Sequence, residues 1–127
     1  MIGLKKQLVK SFINLKVVSN KPGELIIQSN AMTKIDEGFK IYDKEGIELV
    51  KLLDGIQDVT ADYQLTRITI KYDISKLTPH KVMKWVEIII DVSLEYLEVI
   101  KEKWEIDMAY VLQVLRVALT KRIKEVG

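Results

Sequence analysis

Apolar positions along this chain change their spacing several times, and each change marks an element. In Ile2–Ile13, Leu4, Leu8 and Phe12 recur every four residues with Val9 and Ile13 alongside, while Lys5, Lys6 and Lys10 take other faces. That spacing predicts a short amphipathic helix over residues 1–14. Leu15 and Val17 then alternate with polar positions, Lys21-Pro22-Gly23 predicts a bend, and Glu24–Gln28 carries the β-branched pair Ile26-Ile27. The segment reads as one kinked strand or a pair of short ones.

From Ile35 to Leu53 the apolar residues Ile35, Phe39, Tyr42, Leu49 or Val50, and Leu53 step by three or four, with Gly46 on the same face and Gly55 suited to the residue just past a helix end. A helix is expected there. Gly38 and Gly46 each cost roughly 1 kcal/mol relative to alanine, so a break near Lys44–Gly46 is the alternative. A hairpin follows, with Val59, Ala61 and Tyr63 alternating before a turn at Gln64-Leu65 and Ile68, Ile70 and Tyr72 alternating after it. Setting Asp62 opposite Arg67 also sets Thr60 opposite Thr69 and Asp58 opposite Lys71. Each of these cross-strand pairs contributes roughly 0.2–1 kcal/mol, and Val59, Ala61, Ile68 and Ile70 then share the core face.

Thr78-Pro79 is a helix start, since threonine caps and proline tolerates the first position. Helical spacing then runs through Val82, Val86, Ile89, Ser93, Leu97, Ile100 and on to Ile123 without another Gly or Pro. Unbroken, Pro79–Val126 would extend about 70 Å, too long for one compact domain of this size. Either the helix breaks, near Asp107 acting as a cap, or it projects into a partner. Ile88, Ile90, Leu94, Val99 and Tyr110 form a second apolar stripe, wider than one small sheet needs. Length and width together predict a homo-oligomer, with Trp104, Met108, Val111, Leu115 and Leu119 as candidate interface residues.

Composition bounds the rest. The 127 residues, 48% hydrophobic and 30% charged, suit a single folded domain over 1–127. There is no cysteine, which excludes disulfides, iron–sulfur clusters, thiolate zinc sites and a cysteine nucleophile, and fits a reducing cytosol. Gln7, Lys10, Ser11 and Asn14 interrupt the N-terminal stretch, so no signal-peptide apolar region forms. The densest apolar run, Val86–Leu94, contains Glu87 and Asp91 and falls far short of the roughly 20 residues a membrane span needs. A cytoplasmic location is the expectation.

The order strand, helix, strand, strand, helix is most of a ferredoxin-like βαββαβ unit. Three segments carry a family resemblance: Val17-Val18-Ser19-Asn20-Lys21-Pro22-Gly23-Glu24-Leu25-Ile26-Ile27, Leu52-Leu53-Asp54-Gly55-Ile56-Gln57-Asp58-Val59 and Ile68-Thr69-Ile70-Lys71-Tyr72-Asp73. Over residues 15–90 the chain resembles heavy-metal-associated (HMA-like) domains of the type found beside metal-transporting ATPases. The resemblance implies an α+β fold: a ferredoxin-like βαββα core preceded by the N-terminal amphipathic helix and followed, over 91–127, by a long C-terminal helix or helix pair. In metal-binding members a Cys-x-x-Cys loop lies between the first strand and first helix. Here that loop is Gln28–Asp36, whose only sulfur is Met32, and a lone thioether is a poor substitute for two thiolates. Glu24 also stands where cysteine-free relatives often carry Arg after Pro-Gly. The family's last strand is not evident, although Ser93–Ile100 could supply it.

No catalytic centre emerges. His80 is the only histidine and sits in a helix's first turn, which suits a surface or capping role. Asp36, Glu37 and Asp43 lie close in sequence without the oxygen-rich spacing of a calcium loop, and phosphate-cradling and hydrolytic templates are absent. Lys5, Lys6, Lys10, Lys16 and Lys21 precede any acidic residue, and Arg116, Lys121, Arg122 and Lys124 cluster near the other end, but the net charge is only +2. Pairing of Arg67 and Lys71 with acidic residues, and the lack of an exposed stacking platform, speak against nucleic acid. The expectation is a non-catalytic protein-interaction or accessory module, without catalytic, cofactor or metal residues and with a protein partner in metal transport or homeostasis. A membrane-peripheral adaptor contacting anions through Lys5, Lys6 and Lys10, and a small-ligand regulatory domain, are the alternatives.

Overall fold

The computed structural model describes residues 15–29, 43–62, 64–103 and 105–127. The expected N-terminal helix, the start of the Ile35–Leu53 helix and the loop holding Met32 lie outside the described residues. Four antiparallel strands form one sheet in the order β1-β2-β4-β3: β1 Leu15–Lys21, β2 Glu24–Ser29, β3 Ile56–Asp62 and β4 Arg67–Tyr72. The helices are α1 Asp43–Val50, α2 Pro79–Glu95, α3 Leu97–Lys103 and α4 Met108–Arg122, with a 3-10 turn over Ile123–Val126. The chain is α+β.

Of the two readings of residues 15–28, the pair of strands is the one found. Pro22-Gly23 closes a two-residue hairpin that sets Lys21 opposite Glu24, and Gly23 holds φ +88, which a glycine adopts at no steric cost. The Gly23 carbonyl accepts from the Tyr72 N–H at 3.0 Å and the Tyr72 hydroxyl donates to the Lys21 carbonyl at 3.2 Å, so β4 locks the turn in place. Ser93–Ile100 forms no strand; it is helical on both sides of Tyr96, and β1 occupies the sheet position beside β2.

The second hairpin has the register that charge and side-chain alternation predict. Asp62 faces Arg67, Thr60 faces Thr69, Asp58 faces Lys71, and Val59 faces Ile70. Its core face is narrower than expected, because Val59 and Ile70 are buried while Ala61 is exposed and Ile68 half-buried. At the hairpin tip Thr66 holds a positive φ of 54 and its hydroxyl donates to the Leu65 carbonyl at 2.7 Å.

Helix α1 runs through Gly46 without the break allowed for near Lys44–Gly46, and stops at Val50 rather than at Leu53. The reason is a bond outside the helix: the Val50 carbonyl accepts from the Trp85 indole N–H at 2.8 Å. Tight turns then bring the chain into β3, with Leu52 N–H on the Leu49 carbonyl and Ile56 N–H on the Leu53 carbonyl. Gly55 at φ +105 makes that entry, and its carbonyl accepts from Asp73 N–H at 2.8 Å.

Helix α2 starts as read, with Thr78 as cap accepting from Lys81 N–H at 3.2 Å and Pro79 in the first position. The 70 Å rod does not form. It stops at Tyr96 and again before Asp107, whose carboxylate caps α4 by accepting from Tyr110 N–H at 3.1 Å. Helix α4 therefore folds back to pack on α1 and α2. One buried cluster runs from Leu25, Ile27, Val59, Ile70 and Tyr72 on the sheet through Val82, Trp85, Val86, Ile88 and Val92 of α2 to Val111, Leu115 and Leu119 of α4.

Two glycines separate space from conformation. A Cβ on Gly55 would lie 2.9 Å from two Leu77 carbons at a positive φ, whereas among the described residues nothing lies within 4 Å of a Cβ on Gly46. Gly55→Ala should cost about 1–3 kcal/mol and Gly46→Ala should gain about 0.5–1 kcal/mol, read as opposite shifts of the urea midpoint. Shifts of the same sign would contradict this geometry.

Candidate interaction surface

The residues singled out on the last helix divide by orientation. Val111, Leu115 and Leu119 are buried in the chain's own core and Met108 is half-buried, while Trp104, Lys5, Lys6 and Lys10 lie outside the described residues. A period of 3.6 places Val111, Leu115, Leu119 and Arg122 on one side of α4 and Tyr110, Gln113 and Val117 on the other. On that other side Tyr110 is 50% and Val117 43% exposed, and Ile106, in the turn just before the helix, is 80% exposed. Three- and four-residue spacing alone marks both sides as apolar. Which one meets α2 is decided by packing, and Tyr110 was the only one of the three exposed residues that the periodicity picked out.

Charge along α4 is segregated. Glu105 and Asp107 stand at its start, and Arg116, Lys121 and Lys124 at or beyond its second half, all exposed. No Asp or Glu occurs between Met108 and Lys124. Arg122 turns inward: its guanidinium donates to both Glu125 carboxylate oxygens at 2.8 and 3.0 Å and lies 3.8 Å from Asp91 of α2. The hydrogen bonds from Arg122 hold the Glu125 carboxyl below its ordinary value, and the same bonds raise the Arg122 guanidinium.

The sheet face away from the helices is polar. Lys21, Glu24, Lys71 and Asp58 form a row of alternating charge across the four strands, and Lys16, Gln28, Arg67 and Asp62 form a second polar row. Register alone does not make ion pairs, and among the described residues neither Asp58 with Lys71 nor Asp62 with Arg67 reaches ion-pair distance. Asp62 instead accepts from the N–H groups of Gln64 and Leu65 at 3.0 and 3.1 Å, and Asp58 accepts from Val59 N–H at 3.0 Å. An exposed pair contributes at most about 1 kcal/mol, so fixed backbone donors close in sequence compete well for these carboxylates. The Arg67 Nε is buried with no hydrogen-bond partner among the described residues, beside a shallow depression lined by Thr60, Asp62, Gln64 and Thr69.

Beneath α4 lies an apolar cavity of about 240 Å³, lined by Gly46, Leu49, Ile89, Val92, Ser93, Ile100, Leu115 and Leu119. Among the described residues its one hydroxyl, Ser93, already donates to the Ile89 carbonyl at 2.8 Å. His80 is exposed at the start of α2. Asp36 and Glu37 lie outside the described residues, and among the described residues no cluster of three or more His, Asp or Glu is assembled. No helix among them is long and apolar enough to cross a membrane.

The chain matches no family model, no curated protein and no solved structure.

The Arg122–Glu125 contact gives a pH test. A carboxyl depressed in the folded state adds stability above its unfolded value and loses it as pH falls through the folded value. Arg122→Gln should therefore move the Glu125 titration upward toward the ordinary glutamate range, followed by side-chain carboxyl NMR. An unchanged midpoint would mean that Arg122 does not hold this carboxylate.

Proposed function

We propose that this chain is a non-catalytic protein-interaction module built on a ferredoxin-like βαββα core, an HMA-like domain without the thiolate pair, acting beside metal transport or homeostasis. The core reading is supported by the order β2, α1, β3, β4, α2, with β4 lying between β2 and β3. Supplying the remaining edge from the N-terminal hairpin, in the form of β1, accounts for the lack of a strand after α2. The observation that carries the functional reading is the outer side of α4. Tyr110 and Val117 of α4, with Ile106 in the turn before it, stand exposed, opposite the buried Val111, Leu115 and Leu119, and are flanked by charges that would orient a partner.

A chain with no cysteine and a single, exposed histidine has no thiolate pair for Cu(I) and no Cys/His set for Zn(II), and its methionine thioethers are weaker ligands. Titration of the pure protein with either ion should give no tight stoichiometric binding by calorimetry or competition with a chromogenic chelator. A tight one-to-one complex would overturn this reading.

The cavity under α4 favours a second reading, a regulator that senses a small apolar molecule. The described lining is aliphatic and offers no free donor, so it would hold an occupant by packing, as in the engineered apolar cavities that bind benzene. Benzene or a short alkane should then raise the melting temperature, and Gly46→Leu, which points a side chain into the cavity, should abolish the rise. No rise in the unaltered chain would dismiss this reading.

A further inference from the structure

The distribution of charge along α4 selects an occupant for its exposed side. We propose that α4 pairs antiparallel with α4 of a second copy about a two-fold axis between Gln113 and Val114, so that Tyr110 of each copy packs on Val117 of the other. This rests on the interaction-module reading and names its partner.

Three observations carry it. Tyr110 and Val117 are seven residues apart, two helical turns, and so lie on one side of α4, flanking the Gln113–Val114 step through which the axis would pass. An antiparallel pair brings the acidic start of one helix, with Glu105 and Asp107, against the basic end of the other, with Lys121 and Lys124; a parallel pair would stack like charges. In the same arrangement Ile106 covers the aliphatic stem of Lys121 and the Glu105 carboxylate comes beside the Lys121 ammonium. The helix dipoles also oppose one another. Because the surface is self-complementary, the contact closes at two copies instead of propagating.

The interface is small. A 15-residue helix is about 22 Å long, and one such pair buries less than the roughly 1,200 Å² of a standard stable interface. Association is therefore weak, with dissociation constants of order micromolar or above, and weakens with salt because the end contacts are exposed charges.

Sedimentation equilibrium of the full chain, from micromolar to millimolar protein, is the test. The mass should rise from monomer to dimer and stop there. Tyr110→Glu should raise the dissociation constant at least about tenfold with the far-UV spectrum and melting curve retained, and Val117→Glu serves if that variant does not fold. Lys121→Glu should weaken the dimer, and adding Glu105→Lys in the same chain should restore it, because each copy then presents the reversed pair to the other. Since the chain has no cysteine, Gln113→Cys should be cross-linked by a short bis-maleimide far more efficiently than Glu87→Cys on the exposed side of α2. A monomer throughout the range, a dimer indifferent to Tyr110→Glu and Val117→Glu, or equal cross-linking at both positions would overturn the pairing. None of these outcomes bears on metal binding, so the interaction-module reading stands or falls separately.

Discussion

Trp85 holds the structure together. It is fully buried in the middle of α2, and its single polar atom reaches the Val50 carbonyl at the end of α1. A buried indole N–H without an acceptor would cost about 1–3 kcal/mol, and a helix-terminal carbonyl needs a donor of its own, so one bond satisfies two groups. The same bond satisfies the last carbonyl of α1, just before the turns that lead into β3, and ties α1 to α2. The aromatic body of Trp85 joins Leu49 and Leu53 to Val82 and Val86 in one cluster. The contact ties the end of α1 to the middle of α2 inside the cluster that the sheet and α4 also join.

The consequence for the surface is an asymmetry. Strands β2 and β4 give Leu25, Ile27, Ile70 and Tyr72 to the core and present Glu24, Gln28, Thr69 and Lys71 on the far side around a half-buried Ile26, so that face is mostly polar. Its edge strands carry irregularities, between Val17 and Ser19 in β1 and between Ile56 and Asp58 in β3, and lysines on β1. Such devices discourage strand addition. The helical side differs, because α4 carries apolar residues on two sides and, among the described residues, packs on the core through only one. The outer side, with Tyr110 and Val117, stays exposed.

Much of the fold was legible in the sequence. Alternating charges fixed the β3–β4 register to the residue, Thr78-Pro79 marked the start of α2, Pro22-Gly23 the first turn, and Asp107 the cap of α4. These are local signals, each read from a few neighbouring residues and their steric or hydrogen-bonding preferences. Three readings needed more. The end of α1 at Val50 depends on an acceptor claimed by a residue 35 positions later. The break at Tyr96 falls in a stretch with no Gly or Pro to announce it. The charge pairs predicted from the register gave way to backbone donors, because proximity across a ladder does not outweigh a local turn.

The interface residues illustrate the same limit. Periodicity places Val111, Leu115 and Leu119 on one side of a helix and Tyr110 and Val117 on another, but both sides are apolar and a period carries no information about which is covered. The sequence by itself determined the α+β class, the hairpin register, the caps and the absence of thiolate chemistry, since these follow from residue identity and short-range spacing. Only the tertiary structure decided that the C-terminal helices return to the core and that β1 takes the open sheet edge beside β2. It also decided that the outward side of α4 is the one left to solvent. Burial is a property of the packed whole, set by which contacts remove the most apolar surface from water at once.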